Sequence, residues 1–149
     1  MYSKIAIKMP AFDEHTCQAQ HNIDFLKQFI LKHANDWAIT VMFYSAVHIA
    51  EAMICKKVFI DKLNSNAHCS NHGERERVIK ELFPEYHFQY TQLSKSAHDG
   101  RYKVYRFDEK KVIFHRDKYF IPIIQHFNDF CTKYNLNTNI EFNSESLLL

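Results

Sequence analysis

Three short stretches of this chain hold residues whose types and spacing suit proton transfer or anion binding. The first is DWAITVMFYSAVHIAEAM, residues 36–53, where Tyr44, His48 and Glu51 follow one another at intervals of four and three. On a helix that spacing places all three on shared or adjacent surface. A carboxylate one turn from a histidine can fix its tautomer and raise its proton affinity, as base-orienting carboxylates do. The plainer reading is a histidine donating to a carboxylate at a packing seam, since buried polar pairs are tolerated when both groups are hydrogen-bonded.

The second stretch, AHCSNHGERERV, offers His68, Cys69, His72, Arg75 and Arg77. His72 and Arg75 are three apart, a proton carrier beside an anion-binding guanidinium. Arginines near a helix start are disfavoured by the macrodipole, so a bound phosphate or a partner carboxylate would account for them, as would an ordinary solvated face. The third, SKSAHDGRY, carries Ser94, Ser96, His98, Arg101 and Tyr102. Arg101 beside an aromatic suits a nucleic-acid backbone, and seven Lys or Arg stand against three Asp or Glu over 101–118. HTCQAQH (15–21) and HCSNH (68–72) bring soft and nitrogen ligands close together. They lack the paired rhythm of structural zinc, so no metal and no other cofactor is expected.

Composition limits what can position these groups. The 149 residues are 46% apolar and 15% aromatic, enough for a real core and too apolar for disorder. Two Gly and three Pro are too few for a turn-rich barrel or sandwich and suit long helices joined by short links. A net charge of +2 neither demands nor forbids a nucleic-acid partner. Charge or histidine interrupts every apolar run, and MYSKIAIKMPAFDEH lacks the succession of a secretory signal. The expectation is a cytoplasmic chain with no membrane partner. Cys17, Cys55, Cys69 and Cys131 are scattered without a CxxC, which argues against a disulfide scaffold.

Periodicity predicts a first helix over 17–33 with Ile23, Leu26, Phe29 and Ile30 as its stripe. Asn35 and Asp36 are expected to cap a second, running from Trp37 to about Leu63 and apolar around most of its circumference. After a polar linker at 64–70, Asn71 and Glu74 form a capping box for a third helix ending before Pro84. A fourth is predicted over 85–98, with Tyr86, Tyr90, Leu93 and Ala97 on one face and Asp99–Gly100 as its stop. YKVYRFDEKKVIF reads as a loop, a hairpin being the alternative. A last helix over 116–134 carries Phe120, Ile123, Phe127, Phe130 and Tyr134, with Pro122 kinking it or marking its start. The tail 135–149 is expected to attach loosely. The whole is an all-α antiparallel bundle of four to five helices in one domain, with its core at about 18–134.

In order and spacing, Trp37, Ala38, Thr40, Phe43, Tyr44, Ala46, His48, Glu51 and Ala52, then His72 and Arg75, then Leu93, Ser94 or Ser96, Arg101 and Tyr102 resemble small stand-alone HEPN-like proteins. The resemblance covers about 18–134. It implies an α-helical bundle that usually dimerises and is either a metal-independent RNase or a non-catalytic binding or regulatory module. The chain departs from the nuclease branch, which spaces an arginine and a histidine by four to six residues. Here Arg77 and His87 are separated by nine, and Arg106 and His115 by eight.

The expected function is therefore a homodimeric, non-catalytic or regulatory module that binds a nucleotide, nucleic acid or protein through a His/Arg-lined cleft. The alternatives are a metal-independent ribonuclease of a toxin or defence system and a purely structural helical dimer. In the cleft, His48 and Glu51 would form the inner wall beneath Trp37 and Tyr44. His72 and Arg75 would face them, with Arg101 and Tyr102 at the mouth. His48, His72 and Arg75 are the candidates for chemistry; Tyr44, Glu51, Arg101 and Tyr102 are the candidates for ligand binding.

Overall fold

A computed structural model describes residues 11–31, 34–63, 67–103 and 105–143. Among these there is no strand, and the helices are α1 (Phe12–Leu31), α2 (Asn35–Ile60), α3 (His72–Leu82), α4 (Pro84–Tyr102), α5 (Glu109–His115) and α6 (Ile121–Lys133). A π-helical turn, Arg116–Phe120, joins α5 to α6 without a break, so the described residues form five helical rods. The all-α helical bundle expected from composition is the fold. Expectations for residues 1–10, 32–33, 64–66, 104 and 144–149, and for the side chain of Ile30, lie outside the described residues.

The central rod is α2, because small and apolar residues cover most of its circumference. Ile39, Met42, Phe43, Ala46, Ile49, Ala50, Met53 and Ile54 are all buried. The alanines let neighbouring helices approach closely, and the larger side chains fill the space between. α1 runs antiparallel to α2: Phe12 lies near Lys56 at one end, and the chain turns back after Phe29 at the other, where the Ala34 amide bonds its carbonyl. α4 also opposes α2 through the fully buried stripe Tyr86, Tyr90, Leu93 and Ala97. Phe120, Ile123, Phe127 and Phe130 bury the face of the last rod. α2 is long and apolar enough to cross a membrane, despite His48 and Glu51 in its middle, which corrects the sequence reading. Most of that stretch is buried inside the protein, as in the core helix of a bundle.

Several boundaries differ from expectation for physical reasons. Asn35 and Asp36 do not cap α2; they clamp the loop before α5. Asn35 donates to the Phe107 carbonyl at 2.9 Å and Asp36 accepts from the Phe107 amide at 3.0 Å. Gly100 does not stop α4, which runs on to Tyr102. The glycine is there for space: a Cβ would lie 3.0 Å from the Phe107 ring. The segment read as a loop holds helix α5, capped by Asp108, whose side chain accepts from the Lys111 amide. Pro122 marks the start of α6, in its first turn, without breaking the rod that runs on from α5. It lacks the N–H that an α-turn would use, and the π-turn just before it takes up the misfit, with the Ile121 amide reaching back to Arg116.

The tail is not loose through residue 143. Asn135 takes a left-handed φ of 52°, and the Leu136 amide bonds back to Cys131 at 2.8 Å, a helix stop that turns the chain onto the body. Ile140 is buried there, its backbone held on both sides by Asn128. Of the expected capping box, half forms. The Asn71 side chain accepts from the Glu74 amide, while Glu74 reaches Ser70 rather than the cap residue.

Candidate functional site

Glu51 is the centre of the polar seam. It is only 4% exposed, fixed on the central helix, and its two carboxylate oxygens serve different neighbours. Oε1 accepts from Arg75 Nε at 2.6 Å, a charge-assisted contact closed to its short limit. Oε2 faces His68 Nδ1 at 3.4 Å and the Cys69 backbone N–H at 3.3 Å. Arg75 is buried, so the arginine that looked out of place in a first helical turn is explained by a partner carboxylate. Burial disfavours its charge, but Tyr90 and Glu51 more than restore it. Breaking either half of such a pair would leave an uncompensated buried charge.

From Arg75 the network runs outward. Its Nη1 lies 3.0 Å from His72 Nδ1. An arginine can only donate, so His72 accepts there and carries its proton on Nε2. The His72 ring stands against Phe43 at 5.3 Å and edge-on to Tyr44 at 6.3 Å. Arg101 donates to the Tyr44 hydroxyl at 2.8 Å, and its guanidinium lies 5.3 Å from the ring centres of both Tyr44 and Tyr102. Tyr102 is 69% exposed and Tyr44 is also exposed, so this end of the seam meets solvent.

From Glu51 the network also runs inward, to residues that sequence reasoning did not join. His15, on the first turn of α1, is 8% exposed. Its Nδ1 lies 3.1 Å from His48 Nδ1, and its Nε2 lies 3.3 Å from His68 Nδ1. His15, Glu51 and His68 bring one ligand atom each to within 4.8 Å of one another. Burial first, then the nearby His48, push the His15 pKa down to about 4. Burial followed by the Arg75 charge lowers that of His48, and burial with Arg75 and Arg101 lowers that of His72. These three rings are therefore neutral near pH 7. The Cys69 thiol is pushed up to about 11 by burial and Glu51, so it is no thiolate nucleophile.

Of the candidates named from sequence, Tyr44, His48, Glu51, His72, Arg75, Arg101 and Tyr102 fall along this one connected line. Trp37, expected above the inner wall, is 59% exposed and makes no ring contact with these residues among those described. His68 belongs to the Glu51 end. Arg77 is on the surface, paired with Glu81 at 3.5 Å. Ser96 lies elsewhere, where its hydroxyl donates to His115 Nε2 at 2.8 Å. The signal that could have found His15 was its place in HTCQAQH, but nothing in the local sequence says that the first turn of α1 lies beside the middle of α2.

Searches of family models, curated proteins and solved structures returned no match to this chain.

Proposed function

We propose that the chain is a non-catalytic or regulatory HEPN-like module that binds a nucleotide or nucleic acid at the outer end of this seam. The observation that carries the reading is the half-buried Arg101 guanidinium group 5.3 Å from each of two exposed aromatic rings, Tyr44 and Tyr102, beside His72. A phosphate can pair with the guanidinium and with the outward Nε2–H of His72, while a base stacks on Tyr102. Arg75 acts from behind as a buried support, because its Nε is committed to Glu51.

The same electrostatics favour binding over cleavage. RNA cleavage without metal needs a base for the 2′-hydroxyl and a protonated acid for the leaving oxygen. His48 and His72 are both held neutral, which supplies bases without an acid. A metal-independent ribonuclease is the alternative, and one experiment separates the two. Fluorescence anisotropy with labelled single-stranded RNA should show salt-sensitive binding, weakened about tenfold or more by Arg101→Ala, with the RNA left intact in chelator. Turnover lost on His72→Ala and Arg75→Ala would favour the nuclease; absence of binding would overturn both.

We also propose that the module is a homodimer, in the cytoplasm and without a membrane partner. Phe88 and Phe114 are exposed and both lie edge-on to Tyr119, an aromatic patch suited to a helical, two-fold interface. Sedimentation equilibrium should give twice the 17.8 kDa chain mass, and Phe88→Glu with Phe114→Glu should return it to one. A wild-type protein that remains single across micromolar concentrations contradicts the dimer. A protein partner on the same patch would appear as a wild-type monomer that becomes dimer-sized only in a mixed complex.

A further inference from the structure

We propose that His15, Glu51 and His68 form a three-ligand site for a divalent transition metal of the zinc type, held in place from behind by His48 and Arg75. The argument begins with two distances. His68 Nδ1 lies 3.3 Å from His15 Nε2 and 3.4 Å from Glu51 Oε2. Zinc binds nitrogen and oxygen ligands at about 2.0–2.1 Å in tetrahedral geometry, which sets ligand atoms roughly 3.3–3.4 Å apart. An octahedral ion with similar bond lengths would draw neighbouring ligands to about 2.9 Å. Two of the three edges have the tetrahedral length, and the third pair lies within 4.8 Å.

Hydrogen bonding alone gives a poorer account of the same atoms. His68 Nδ1 faces His15 Nε2 and Glu51 Oε2 at once. With a proton it would have to share it between a histidine nitrogen and a carboxylate; without one it could accept from His15 but would leave its lone pair against the Glu51 carboxylate. A charge-assisted N–H···O contact closes to roughly 2.7–2.9 Å. Glu51 has closed to 2.6 Å on Arg75, yet stands 3.4 Å from His68. A cation between the three groups accounts for ligand atoms that converge at 3.3–3.4 Å, longer than a charge-assisted contact would leave them.

The surrounding groups fit the assignment residue by residue. With Nε2 of His15 used as ligand, its Nδ1 carries the proton and donates to His48 Nδ1, 3.1 Å away. That is the outer partner a ligating histidine ordinarily has. Glu51 offers Oε2 while Oε1 is anchored by Arg75. The Cys69 thiol does not converge with the others; that residue instead points its backbone N–H at Glu51. The three ligands come from α1, α2 and the loop before α3, so the ion would pin that loop to the central helix pair. Three protein ligands leave a fourth position for water or an anion, as open zinc sites do. This inference does not depend on RNA binding, and the loss of either leaves the other intact.

The test is titration of tag-free, full-length, chelator-treated protein with Zn²⁺ and Co²⁺. One equivalent of zinc should bind, and the cobalt complex should show the intense visible absorption of tetrahedral coordination. His15→Ala and His68→Ala should each weaken binding by about 100-fold or more, and His48→Ala by about 10–100-fold. His21→Ala, at an exposed position of α1, should change nothing. His68 lies outside the helices, so its variant should keep the helical content of the wild type by circular dichroism. Absence of binding, a weak octahedral spectrum, or binding that survives both ligand replacements overturns the proposal.

Discussion

His15 and His115 are both buried, both helical and both neutral near pH 7, yet their surroundings differ in kind. His115 has a short partner of complementary polarity on each nitrogen: Nδ1 donates to the Lys111 carbonyl at 2.6 Å and Nε2 accepts from Ser96 at 2.8 Å. Nothing is left for a ligand to satisfy. His15 meets only other histidine nitrogens, at 3.1 and 3.3 Å, with a buried carboxylate one step beyond. Burial alone therefore does not mark a functional histidine. The distinguishing feature is whether a carbonyl and a hydroxyl close each nitrogen at 2.6–2.8 Å, as at the π-turn, or only histidine nitrogens stand at 3.1 and 3.3 Å with a carboxylate one step beyond, as beside Glu51.

The contrast can be broken most severely at Glu51. Replacing it with alanine leaves Arg75 buried and unpaired, and urea unfolding should show a loss of about 3–5 kcal/mol. A change below about 1 kcal/mol would mean that the pair behaves like a surface contact. Ser96→Ala removes one closed hydrogen bond at the other centre and should cost about 1 kcal/mol, with no effect on zinc or RNA binding.

Acid titration sharpens the same comparison. Both histidines have folded-state pKa values below the ordinary 6.5. Between 6.5 and about 4 for His15, the unfolded chain binds a proton that the folded chain refuses. Stability is therefore retained above this window and lost as pH falls through it, by at most about 1.4 kcal/mol per unit for each such group. His15→Gln should flatten part of that slope in metal-free protein, while the Ser96→Ala slope should stay near wild type. An unchanged slope on His15→Gln would remove His15 from the acid-sensitive set. Smallest of all, Tyr86→Phe should change stability by less than about 1 kcal/mol, because its buried hydroxyl has no hydrogen-bond partner to lose.

The helices were legible because their signals are local. The stripe Tyr86, Tyr90, Leu93, Ala97, the Asn71 cap and Pro84 at a helix start each depend on neighbours within a turn or two, and each is found in place. Misreadings arose where a distant segment decided the outcome. Gly100 reads as a helix stop until Phe107 is packed against it. Asp36 reads as a cap until the Phe107 amide takes its carboxylate. The candidate site divides the same way. Tyr44, His48 and Glu51 share one helix and their spacing groups them, as it does His72 with Arg75. His15 joins them only through the packing of α1 on α2, which no local pattern encodes.

Long-range ¹H–¹⁵N correlation of the histidine rings tests the contrast between the two centres most directly. Without metal, His115 should show a fixed Nδ1–H tautomer, and one equivalent of Zn²⁺ should leave it untouched. The same addition should shift His15 Nε2 and His68 Nδ1 together, with His15 Nδ1 remaining protonated toward His48. Rings beside Glu51 that ignore zinc, or a His115 that responds as strongly, would contradict the account.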